Sequence, residues 1–187
     1  MDGIASSVPL IARPSFDRAC SFVPSEYVQA WEWFLREEQR GGLWDKLPHR
    51  TSADSPQYPF RLTIGSELFP VSRDSGIFWP GRGRVKHPRE MTFALSVHNS
   101  KRGAYPDVPP LYLEDGTWVL KYSSQSTSVE NWRDQDYNQK MINCMECGVP
   151  VGVFFATGAG YKVLGLAFVE RYEPENSWFV LHGPVHK

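Results

Sequence analysis

Val149-Pro150-Val151-Gly152-Val153-Phe154-Phe155 opens the run of sequence that decides the fold, followed by Tyr161 to Tyr172 and by Ser177-Trp178-Phe179-Val180-Leu181. Each segment is rich in β-branched and aromatic residues, and turn residues separate them, which is the signature of strands. Upstream, Thr117 to Tyr122 and Met91 to Val97 carry the same pattern. Strand–helix alternation is absent, which argues against a doubly wound parallel sheet. The expectation is an α+β chain, mainly β, built as a curved sheet or open β-barrel with a few flanking helices.

Two segments read as helices. Tyr27, Val28, Trp31, Phe34 and Leu35 share one face of a helix from Ser25 to about Arg40, with Ser25 as N-cap and Gly41-Gly42 as the stop. A stripe this aromatic docks on a core. Tyr137, Met141, Cys144 and Met145 have the spacing of a buried helical stripe over 137–147, ended by Gly148. That spacing makes Cys144 and Cys147 packing groups: a structural zinc site needs four ligands, and the remaining cysteine, Cys20, is distant. Neither metal nor cofactor is expected. The chain divides near residue 60 into an N-terminal helical extension with a linker (1–60) and a strand-rich domain (61–187).

Composition narrows the functional class. Among 187 residues, 41% are hydrophobic, enough for a packed core without disulfides. No apolar run approaches the roughly 20 residues that span a bilayer, and no basic-then-apolar leader opens the chain, so a cytoplasmic location is expected. From Arg82 to Arg102 stand six cations (Arg82, Arg84, Lys86, Arg89, Lys101, Arg102) and one acid, Glu90, a net charge of +5. The whole chain is −1, so the remainder carries −6. Such polarisation suits an edge facing a polyanion on a protein that is not basic overall. Just beyond lie Tyr105-Pro106-Asp107 and Gly116 to Ser123, including Tyr122. Two aromatic faces and a carboxylate can sandwich a flat heteroaromatic ring and accept a hydrogen bond from its amino edge, as a base taken out of a duplex requires.

A series of short motifs runs in a constant order. It begins with Ile64-Gly65, Ser75-Gly76-Ile77 and Phe93-Ala94-Leu95-Ser96-Val97, and continues with Tyr105-Pro106-Asp107 and Gly116 to Tyr122-Ser123. Asn138 to Asn143-Cys144 and Gly148-Val149-Pro150-Val151 follow. Tyr161 to Leu166, Tyr172-Glu173-Pro174 and Trp178-Phe179-Val180-Leu181 complete it. In this order the chain resembles the SRA (SET- and RING-associated) domain over about residues 62 to 185, and most of all the version coupled to HNH nucleases in bacteria. The resemblance implies a reader of 5-methylcytosine or 5-hydroxymethylcytosine in double-stranded DNA that works by base flipping, as the specificity domain of a modification-dependent restriction endonuclease. It implies that Tyr105 and Tyr122 stack on the flipped base and that Asp107 accepts from the cytosine amino group. Ser123 would stand beside the pocket, and the loop Gly81 to Arg89 would enter a groove. The acid here lies one residue nearer its tyrosine than the family commonly has it.

Magnitudes fit such a pocket. Extruding a base costs a few kcal/mol, and aromatic stacking returns about 1–3 kcal/mol per base. The methyl group adds only about 0.8 kcal/mol, so discrimination is modest and phosphate contacts carry most of the affinity. No nuclease motif accompanies the pocket. Val119 stands two residues before Lys121 where a PD-(D/E)xK nuclease needs an acid, and His87, His98, His182 and His186 lack the context of an HNH motif. No P-loop, Rossmann glycine pattern or nucleophile elbow occurs. The expectation is a chain that reads and does not cut, with a fused or associated HNH nuclease. Its ending, Gly183 to Lys187 just after the last strand, fits a domain of a longer protein. Two other classes stay open: an enzyme of base-excision type using Asp107, and an RNA- or small-molecule-binding β-barrel.

Overall fold

A computed structural model describes residues 15–44, 62–63, 67–68, 76–79, 93–99, 108–125 and 132–187. Three helices lie among them: α1 (Phe16–Cys20), α2 (Ser25–Arg40) and α3 (Trp132–Cys147). The strands are β1 (Leu43–Trp44), β2 (Leu62–Thr63), β3 (Glu67–Leu68), β4 (Ile77–Phe78), β5 (Ser96–His98), β6 (Leu111–Tyr112), β7 (Trp118–Ser123), β8 (Val151–Thr157), β9 (Gly160–Glu173) and β10 (Trp178–Gly183). The class is mixed, mainly β with a few helices.

The main sheet runs β4-β5-β8-β9-β10-β7-β6, with β1 added beside β9, while β2 and β3 pair separately. It is open rather than closed into a barrel. β5 and β8 are parallel and the other described pairs antiparallel. A parallel pair needs a long crossover, and here that connection contains β6, β7 and α3. β9 pairs with β8 through residues 160–167 and with β10 through 168–173. Two bulges bend it. Val153 and Phe154 face Gly165 and Val163, leaving Leu164 over, and Leu181 and Val180 face Val169 and Arg171, leaving Glu170 over. Gly165 occupies φ 92°, a conformation other residues resist.

Helix α2 forms as its periodicity demands. Tyr27, Ala30, Trp31 and Phe34 are buried in the core that also holds Val151, Val153 and Leu166. Its start differs from expectation: Ser25 is the first helical residue, and the cap position is Pro24, which offers no side-chain bond. Pro24 still suits the place, since its extended backbone (ψ 156°) leads into the helix and its carbonyl accepts from Tyr27. The stop is as read. Gly41 takes φ 65°, its N–H bonds the Glu38 carbonyl and that of Gly42 the Glu37 carbonyl. Helix α3 ends likewise at Gly148 (φ 65°), but it begins at Trp132, a turn or more before the expected 137.

Phe34 lies on Gly152 of β8, with its ring 5.3 Å from that of Phe154. Val151 to Phe154 and Val163 to Val169 are all buried, so the middle of the sheet is covered on both faces and reads as apolar runs instead of alternation. Because α2 and β1 join this core and sheet, residues 25–44 are built into the strand-rich unit. The expected linker over 51–59 lies outside the described residues.

A methyl group at position 152 would stand 2.1 Å from Phe34 Cζ. Gly152→Ala should therefore cost about 1–3 kcal/mol, read as a lower denaturant midpoint at constant slope. An unchanged midpoint would contradict this packing.

Candidate nucleic-acid interface

Strand β7 alternates. Trp118, Leu120 and Tyr122 are buried, while Val119, Lys121 and Ser123 are half-buried on the other face. Tyr122 and Ser123, as neighbours in a strand, point to opposite sides of the sheet. Tyr122, 8% exposed, pairs across the sheet with Phe179, which in turn pairs with Tyr172, their rings 4.7 Å apart. Its hydroxyl lies 3.4 Å from the His98 carbonyl oxygen, to which it donates. Tyr105 and Asp107, and the six cations Arg82, Arg84, Lys86, Arg89, Lys101 and Arg102, lie outside the described residues.

The residues flanking those segments are placed. Leu95 N–H bonds the Phe78 carbonyl at 2.8 Å, and His98 N–H bonds the Gly76 carbonyl at 2.8 Å. Residues 80–92 therefore connect β4 to the chain leading into β5, rooted at Trp79 and Phe93. Both roots are held. The Tyr27 hydroxyl donates to the Phe93 carbonyl at 2.7 Å, Cys144 Sγ–H to the Ala94 carbonyl, and Lys140 Nζ stands 4.7 Å from the Trp79 ring centre. Residues 100–107 leave from Asn99, at the other end of β5. Asn99 is fixed there by the Ala156 N–H, which donates to its Oδ1 at 2.6 Å. Residues 93 to 99, fully extended, span about 20 Å. The Tyr122 hydroxyl, Gly76 and His98 share the end from which Lys101, Arg102, Tyr105 and Asp107 depart; the root of the Arg82–Arg89 segment lies at the other.

The outer face of β7, β9 and β10 carries charges in balance. Arg171 forks onto Glu173 (2.8 and 3.1 Å), Lys121 lies 3.7 Å from the same carboxylate, and Lys121 Nζ sits 4.8 Å from the Trp178 ring centre. The hydrogen bonds from Arg171, then the charge of Lys121, hold the Glu173 carboxyl below its usual pKa. Nearby, the β9 bulge aims Glu170 at His182, with Oε1 2.6 Å from Nδ1, and His182 Nε2 lies 2.9 Å from Thr117 Oγ1. Hydroxyl, imidazole and carboxylate in line are what nucleophile activation uses. Here, however, the Thr117 hydroxyl and N–H both donate to Asp115 Oδ1, at 2.6 and 2.9 Å. That bond directs the proton away from His182 and ties the β6–β7 turn to β9 and β10. These residues stand far apart in sequence, and only strand register brings them together. Among the described residues no group of three or more His, Cys, Asp or Glu is placed to hold a metal. Nor is any helix there long and apolar enough to cross a membrane.

No family model, curated protein or solved structure matches this chain. The site is therefore read from its own geometry and chemistry.

Burial pushes the Tyr27 phenol and the Cys144 thiol well above their ordinary pKa values. The folded chain thus keeps two protons that the unfolded chain releases sooner. Their contribution to stability is whole below the unfolded values, about 8.5 for a thiol and about 10 for a phenol, and is lost as pH rises beyond them. Melting temperature should fall above about pH 8.5 more steeply in the native chain than in Tyr27→Phe/Cys144→Ala. Parallel curves would show that these groups do not control the alkaline limit. At pH 8, Cys144 should also stay silent to a thiol reagent until the chain is unfolded.

Proposed function

We propose that this chain is a modified-cytosine reader of SRA type, binding double-stranded DNA and holding the extruded base between Tyr122 and Tyr105, with Asp107 accepting from its amino group. The observation that carries the reading is positional. Tyr122 faces inward from β7, and its hydroxyl stands at the end of β5 from which the segment with Tyr105 and Asp107 departs. The Tyr122 ring is buried, so a base reaches its face only where the residues covering it move aside. Lys101 and Arg102 leave from this same end and would contact the phosphates flanking the base. The Arg82–Arg89 segment would grip the backbone further along. On this reading the chain supplies specificity in the cytoplasm, and cleavage belongs to an HNH nuclease joined or associated with it.

Titration of duplexes that differ only in one 5-methylcytosine should show tighter binding of the modified duplex at moderate salt. Superimposable curves would sink the reading. Tyr105→Ala should weaken binding of the modified duplex by about 1–3 kcal/mol, roughly 5- to 150-fold. Asp107→Asn should cost more in preference for cytosine than in affinity, since an amide can turn a donor toward a group that is itself a donor.

Replacing Arg82, Arg84, Lys86 or Arg89 singly should weaken modified and plain duplexes alike and lower the slope of log affinity against log salt by about 1. A slope unchanged in all four variants would place this segment away from DNA.

A further inference from the structure

Four side chains on the outer face of the sheet stand in one file. Glu170 Oε1 is 2.6 Å from His182 Nδ1, His182 Nε2 is 2.9 Å from Thr117 Oγ1, and Thr117 Oγ1 is 2.6 Å from Asp115 Oδ1. Each contact has hydrogen-bond length and needs one proton between its two atoms. An ionised carboxylate brings none, the Thr117 hydroxyl brings one, and a neutral imidazole brings one. Three contacts then share two protons. The hydroxyl proton lies toward Asp115, whose Oδ1 also takes the Thr117 N–H at 2.9 Å. Both ring nitrogens of His182 must therefore donate, which takes one added proton.

We propose that this file is a proton-closed clasp: with a proton on each ring nitrogen, His182 ties the β6–β7 turn to β9 and β10, and loss of one proton releases the turn. The release follows from the count. A neutral ring that keeps its proton toward Glu170 offers Thr117 a lone pair. The hydroxyl can then serve Nε2 or Asp115 but not both, and one contact is left with lone pair against lone pair. What depends on the clasp is the edge of the sheet. β6 is its last strand and, among the described strands, pairs with β7 alone, at Leu111–Val119 and Tyr112–Trp118. The backbone bonds of the turn, Leu113 N–H to the Thr117 carbonyl and Gly116 N–H to the Leu113 carbonyl, stay within it. Leu111 and Tyr112 are 65% and 57% exposed, so little packing holds this edge. Among the described residues, the charged groups facing the ring are Glu170 from β9 and Asp115 from the turn. Arg171 Nη1 lies 3.8 Å from the other oxygen of Glu170, and Lys121 of β7 is engaged with Glu173. β10 carries no second charged side chain. The added proton thus offsets one of two flanking negative charges.

The test is an NMR pH titration of the labelled full chain, reading the His182 ring nitrogens together with the Gly116 and Thr117 amides. Native chain, Thr117→Val, Thr117→Ser and His182→Gln are compared. In the native chain both ring nitrogens should carry protons at the acid end, and the two amides should shift with the midpoint of the ring. Exchange of the Thr117 amide, corrected for its intrinsic pH dependence, should quicken about 2- to 10-fold across that midpoint, the factor one hydrogen bond contributes. Thr117→Val should leave a ring that titrates and amides that ignore it. Thr117→Ser keeps the hydroxyl and should restore the coupling, while His182→Gln should leave the amides flat. A ring whose proton number stays constant between about pH 5 and 8 would overturn the switch. Amides that stay flat while the ring titrates, or that move with an ordinary carboxylate near about pH 4, would overturn the clasp. Coupling that survives in Thr117→Val would mean the turn senses the ring's charge through space, and would overturn the hydrogen-bonded route.

Discussion

Fourteen residues of β9 hydrogen-bond to β8 along one half and to β10 along the other, and the two halves of the main sheet meet through that strand. Its bulges bend the sheet without ending it, so β4 and β5 belong to the same sheet as β7, which lies beyond β10. The contact between Tyr122 on β7 and His98 on β5 spans that arrangement, with three strands lying between the two in pairing order. A straight β9 would hold β5 and β7 about 19 Å apart, four strand spacings. Curvature made at Leu164 and Glu170 brings them into hydrogen-bonding reach.

The same strand explains the placement of α2. Phe34 needs a flat, bare patch of sheet, and Gly152 provides one opposite Leu166 of β9. Trp31 and Phe34 are fully buried there, worth roughly 1.5–3 kcal/mol each against exposure. Through Tyr27 the helix also holds the Phe93 carbonyl, beside which Cys144 of α3 holds that of Ala94. Packing of the helices and anchoring of the chain that enters β5 are thus one event, and the neutral phenol and thiol are part of it.

Long, strongly patterned elements were legible in the sequence. The strands at Trp118–Ser123, Val151–Thr157, Gly160–Glu173 and Trp178–Gly183 fall within a few residues of the expected ranges, as does α2, because burial there dictates residue type. What escaped was set by tertiary contact. β1 and β6, two residues each, have no periodicity to detect, and Leu111 and Tyr112 follow two prolines that read as loop. Ser25 looked like a cap because it precedes the apolar stripe, yet Pro24 takes that place. That Tyr122 and Ser123 point to opposite faces follows from strand parity, a rule available from sequence once the strand itself is granted. The Glu170–His182–Thr117 set was invisible, since it depends on a bulge that no local pattern announces.

Charge gives the last link between fold and proposed partner. In the described body Arg171 and Lys121 share Glu173, Lys140 pairs with Asp136, Arg40 with Glu37 and Lys187 with Glu32. A cation with a carboxylate a few ångströms away projects little field beyond the Debye length of about 8 Å at physiological salt. The residues from Arg82 to Arg102 differ in kind, six cations against one acid within a chain of net charge −1. An approaching polyanion is therefore drawn to that stretch and repelled by the rest, whose net charge is −6. On the proposed reading this division supplies orientation as well as affinity, and it turns the stretch from Arg82 to Arg102 toward the duplex.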